Sequence, residues 1–77
     1  MDYKKLFQDK TDGKIPNDMI IVFDNDCGWW RYSGDENLTD EQLDEKVESC
    51  EKKYGRPNGY DDVVDIMVAA GFNAEWC

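Results

Sequence analysis

Six carboxylates fall within residues 40–51: Asp40, Glu41, Asp44, Glu45, Glu48 and Glu51. Acids spaced at i, i+3 and i+4 become neighbours once the segment coils, so this spacing would gather them on one flank of a helix. On a wheel of about 100° per residue with Leu43 at the origin, they run from about 60° (Asp40) to about 200° (Glu45). Leu43, Val47, Cys50 and Tyr54 stay within about 40° of the origin, while Lys46 and Lys53 fall near 280–300° on the far flank. Such an array could offer a dense line of negative charge. Its six carboxylates span about 16 Å of helix axis at about 1.5 Å per residue, a length in which one strand of B-DNA sets about five phosphates. Two readings follow: a solvated face that keeps the chain soluble, or a surface that imitates a phosphate backbone. Asp35, Glu36, Asp24 and Asp26 would add to the same field.

Other chemistries find less support. Asp24-Asn25-Asp26-Cys27-Gly28 alternates oxygen ligands as a Ca²⁺ loop does, but an EF-hand needs glycine at its sixth position, where Trp29 stands. The segment reads as a turn-rich loop. Zinc would need histidine or closely paired cysteines, and the chain has no histidine and three dispersed cysteines. The hydroxyls (Thr11, Ser33, Thr39, Ser49) and thiols (Cys27, Cys50, Cys77) have no histidine to activate them. No catalytic residue, metal site or cofactor is therefore expected, and no enzyme. Trp29 and Trp30 are adjacent, so on a strand they point to opposite faces. One can join the core while the other remains as an exposed anchor for a protein partner.

The elements that must carry these residues are readable in outline. Thr39-Asp40-Glu41-Gln42 is a capping box, flanked by Leu38 and Leu43 at the staple positions. Gly55 stands where a left-handed C-terminal residue belongs. These bounds predict a helix over about 39–54. A second helix is expected over 60–70, with Asp61 and Asp62 at its positive end and Gly71 as its stop. Its apolar arc of Val63, Val64, Ile66, Met67 and Val68 is wide, which predicts deeper burial than for the first helix. Met19–Phe23 and Trp29–Tyr32 read as strands of a hairpin over 18–32, and 72–76 alternates as a closing strand. Tyr3, Leu6 and Phe7 suit a short N-terminal helical turn before Pro16 blocks further helix. The expected fold is α+β, one domain over 1–77, with a small antiparallel sheet of about three strands packed against two helices.

Composition narrows the function. The chain has 77 residues, 18 of them acidic and 9 basic, for a formal charge of −9. This excludes sequence-independent nucleic-acid binding, which needs cations against phosphates, and argues against docking on anionic lipid. Apolar residues at 40% and aromatics at 13% still support a folded core. The charge is concentrated: eleven acids face only Arg31 and Lys46 between Asp18 and Glu51. No apolar run approaches a membrane span of about 18 residues, and the first residues lack a secretory pattern. An odd number of widely spaced cysteines suits free thiols in a reducing cytoplasm, with a single cystine and a spare Cys77 as the alternative.

The like-charge pairs on the acidic flank oppose helix formation by roughly 1–3 kcal/mol before screening, so their retention favours a use. The expectation is a non-enzymatic acidic binding protein. It would act as an inhibitor or regulator that docks on the basic nucleic-acid-binding surface of a partner protein by presenting a DNA-mimicking face. In size and charge alone it is similar in style to the anti-CRISPR, anti-restriction and polymerase-inhibitor proteins of phages and mobile elements. The alternative is a small self-associating structural or adaptor protein, a homodimer for instance, whose acids serve solubility.

Overall fold

The computed structural model describes residues 1–33 and 37–77. In chain order it contains α1 (Tyr3–Thr11), β1 (Met19–Phe23), β2 (Trp29–Tyr32), α2 (Asp40–Tyr54), α3 (Asp61–Ala69) and β3 (Asn73–Trp76). The α+β class and the helix and strand positions agree with the sequence reading.

Local signals explain the element ends. In α2 the Thr39 side chain accepts from the Gln42 amide while the Gln42 side chain accepts from the Thr39 amide, so the capping box is complete. Gly55 ends the helix at φ 83°, a conformation that costs glycine little. At α1, the Asp2 carboxylate accepts the Lys5 N–H at 3.1 Å, and the helix runs nine residues rather than the turn or two expected. Leu6, fully buried, anchors that added length.

The sheet order is β2-β1-β3. β1 and β2 are antiparallel, with Ile21 opposite Trp30 and Val22 opposite Trp29. β3 runs parallel to β1, with Ile21 opposite Ala74 and Phe23 opposite Trp76. The sheet is therefore mixed, which corrects the antiparallel sheet expected from the sequence. The reason is that alternation in 72–76 encodes which face is buried, not which way the strand runs. The long connection through α2 and α3 leaves room for the parallel return.

One face of the sheet builds the core. Met19, Ile21 and Phe23 from β1 and Trp30 from β2 meet Leu6, Cys50, Tyr54, Met67 and Phe72. All three helices contribute, one more than expected. By strand alternation Ile20, Val22, Trp29 and Arg31 lie on the other face, where Arg31 reaches across β1 to Glu75 at 2.7 Å. Buried polar groups are matched: Trp30 Nε1–H donates to the Gly55 carbonyl at 2.8 Å, and the Tyr54 hydroxyl donates to Asp9 at 2.5 Å.

The expectation that α3 is the more deeply buried helix is overturned. Met67 is its one fully buried side chain among the described residues, whereas Ile66 is 60% and Val68 53% exposed. α3 packs on β3, an edge strand, and one edge strand is too narrow to cover so broad an apolar arc. No helix is long and apolar enough to cross a membrane among the described residues.

Candidate partner-docking surface

The acidic flank forms on α2. Asp40, Glu41, Asp44, Glu45 and Glu48 are exposed and Glu51 is half-buried. Among the described residues none of the six lies within 4 Å of a lysine or arginine nitrogen, the two ion pairs being Arg31–Glu75 and Lys53–Asp9. The charge of Glu51 helps to raise the Arg56 guanidinium above its ordinary pKa, after the larger effect of the bond to Cys27.

Two of the helix's three lysines are drawn elsewhere. Lys46 lies 5.0 Å from the centre of the Tyr32 ring, and Lys53 lies 5.4 Å from that of Tyr54 while bridging Asp9 at 3.2 Å. Ammonium groups over aromatic faces are held by the ring quadrupole. The apolar stripe turns those two toward the sheet and α1, while Lys52 stays exposed on the acidic flank, four residues after Glu48 and in one surface groove with Glu45 and Glu48. It makes no ion pair within 4 Å with them among the described residues.

The remaining candidates are placed differently from one another. Trp30 is 2% exposed, which removes it from any docking surface, whereas Trp29 is 41% exposed. Trp29 lies on the sheet face turned away from the core to which α2 contributes, so the fold does not set it in the plane of the acidic stripe. Asp24 is half-buried and its carboxylate accepts the amides of Asp26 at 2.9 Å and Cys27 at 3.4 Å. Those bonds, the Asp26 amide first, hold its pKa below the usual carboxylate range. Its charge is thus engaged in closing the loop, while Asp26 is exposed. Asp35 and Glu36 lie outside the described residues.

The loop that the sequence offered as a weak Ca²⁺ pattern has a structural role. Asp24 bridges Asn58, its carbonyl accepts the Gly59 amide at 3.1 Å, and Gly28 packs directly against the backbone of Pro57 and Val22. Glycine at 28 is needed for that approach. The cysteines are all free, with Cys50 buried and Cys27 and Cys77 exposed. Arg56 donates to the Cys27 sulfur. Among the described residues no group of three histidine, cysteine or acidic side chains is arranged to hold a metal ion.

Sequence reasoning missed Asp9. It is 7% exposed, bonded to Tyr54 and Lys53, and its pKa is lowered chiefly by the Tyr54 hydrogen bond. The available signal was an acid two residues after Phe7 on a short amphipathic segment, which does not distinguish a buried carboxylate from a solvated one. No protein-family model matches this chain, and no curated protein or solved structure matches it.

Proposed function

We propose that this chain is a non-enzymatic acidic binding protein that inhibits or regulates a partner by occupying its basic nucleic-acid-binding surface. The observation that carries the reading is the α2 flank itself: Asp40, Glu41, Asp44, Glu45 and Glu48 exposed, without an ion pair among the described residues. Neighbouring carboxylates at i+3 and i+4 cost stability, and two of the three lysines on the same helix, Lys46 and Lys53, are drawn to aromatic rings instead. Their spacing along the axis is close to that of phosphates on one DNA strand, about 3.4 Å apart. Long-range attraction would speed encounter with a cationic groove and fix the register within it. The free thiols suit a cytoplasmic setting. Anti-CRISPR, anti-restriction and polymerase-inhibitor proteins of phages and mobile elements supply the analogy of style.

The test is capture from a lysate of the organism that encodes the chain. A basic nucleic-acid-binding protein is expected to be retained at low salt, displaced by duplex DNA, and released as salt rises from about 0.05 to 0.2 M. The Asp44→Lys/Glu48→Lys variant is expected to retain nothing while its circular dichroism is unchanged. Retention that ignores both DNA and the charge reversal refutes mimicry.

A second reading, a self-associating adaptor, is favoured by Trp29 at 41% exposure on the sheet face turned away from the core. It predicts a dimer by sedimentation that persists at high salt and dissociates in Trp29→Ala.

A further inference from the structure

We propose that the outer edge of β3 is a docking site for an extended, cationic segment of a partner protein, which joins the sheet as a fourth strand. The sheet ends at β3 on this side. The Cys77 N–H donates to the Phe23 carbonyl at 2.9 Å, continuing the parallel register in which Ala74 faces Ile21 and Glu75 faces Val22. In a parallel ladder alternate residues bond the neighbouring strand. Asn73, Glu75 and Cys77 therefore bond β1, and the N–H and C=O groups of Ala74 and Trp76 point outward, away from it. Such a row is a template for an added strand.

The edge is not blunted. Asn-Ala-Glu-Trp contains none of the lysine or proline that commonly guards an edge strand. A surface groove lined by Ile20, Ser33, Val68, Phe72, Asn73, Ala74 and Glu75 crosses the sheet face beside this strand and is separate from its outer edge. Val68 is 53% and Trp76 37% exposed, which leaves apolar surface for alternate side chains of the incoming segment. The β2 edge leads into residues outside the described set.

Charge selects the occupant. Residues 57–77 carry four carboxylates and no lysine or arginine. Glu75 is paired with Arg31, so the charge facing the edge comes from α3, where Asp62 and Asp65 are exposed on the helix that packs against β3. A second copy would set acid against acid, with −9 on each chain. Lysines or arginines alternating with apolar residues would complement both the edge and its rim. The partner's basic character rests on the reading above, whereas the free edge does not.

A capped Lys-Val-Lys-Val-Lys-Val peptide is the probe, with Glu-Val-Glu-Val-Glu-Val as its control. The lysine peptide is expected to slow amide hydrogen exchange at Ala74 and Trp76, and the glutamate peptide to leave it unchanged. Ala74→Pro removes an outward N–H without touching the β1 ladder, and is expected to weaken lysine-peptide binding about tenfold, the worth of one backbone hydrogen bond. The Asp44→Lys/Glu48→Lys variant is expected to retain the protection at Ala74 and Trp76. Unchanged exchange at both amides overturns the proposal, as does binding indifferent to Ala74→Pro. Protection in the free protein with a dimeric mass by sedimentation also overturns it, by assigning the edge to a second copy. Peptide binding lost only in the α2 variant refutes the strand site and leaves the mimicry reading standing.

Discussion

Asp9 and Tyr54 tie α1 to α2 with a charge-assisted hydrogen bond of 2.5 Å, supported by Lys53 at 3.2 Å. Burial, and then the bond to Asp9, raise the Tyr54 pKa, so its hydroxyl stays a donor at neutral and acid pH. The Asp9 pKa is lowered from an unfolded value of about 3.9. A depressed folded value means the carboxylate stabilises the fold above the unfolded pKa, and that contribution disappears as pH falls through the folded one. Urea titrations between neutral pH and about pH 2.5 are expected to show a shallower acid loss for Asp9→Asn than for the parent chain. Tyr54→Phe is expected to cost about 1.5–3 kcal/mol at neutral pH, the range for hydrogen bonds to charged groups. At Gly28 the issue is space. A Cβ there would run into the Pro57 and Val22 carbonyls, both backbone, so nothing can swing aside. Gly28→Ala is expected to lower stability by about 3 kcal/mol or more, read as a fall in the urea midpoint.

At the scale of elements, α2 is held by its ends and its apolar stripe against the repulsion along its acidic flank. Thr39, Gln42 and Gly55 were legible because caps are local. Leu43, Val47, Cys50 and Tyr54 were legible because spacing follows the 3.6-residue turn. Reversing Asp44 and Glu48 to lysine turns most of the like-charge neighbours into opposite ones, and thermal denaturation is expected to show about 1 kcal/mol of added stability at low salt. Added salt is expected to raise the melting temperature of the parent more than that of the variant, since only the parent gains from screening. α3 shows the limit of the same logic. Its apolar arc marks a helix, but how much of it is covered depends on what lies beneath: Met67 is buried in the core, Val63 and Val64 pack partly against it, and Ile66 and Val68 stay exposed.

Across the whole molecule, the acidic flank, the exposed Trp29 and the β3 edge occupy different surfaces of one small core. The thiols report on that core. Brief native treatment with iodoacetamide is expected to add two groups, at the exposed Cys27 and Cys77, and three only after unfolding releases the buried Cys50. Intact mass reads the outcome, and a third addition to the folded chain would contradict the packing of Cys50 beside Met19 and Tyr32.

Periodicity, caps and turn residues are short-range, so the chain alone determined its helices, its strands and which of their faces are apolar. It also determined the candidate stripe, because six acids at helical spacing share a flank whatever the helix packs on. Tertiary structure decided the rest. The parallel course of β3, the burial of Trp30 rather than Trp29, the recruitment of Asp9 and the diversion of Lys46 and Lys53 all depend on contacts between segments far apart in sequence. Local pattern carries the sign and spacing of charges, but which of them are neutralised depends on what the fold places beside them.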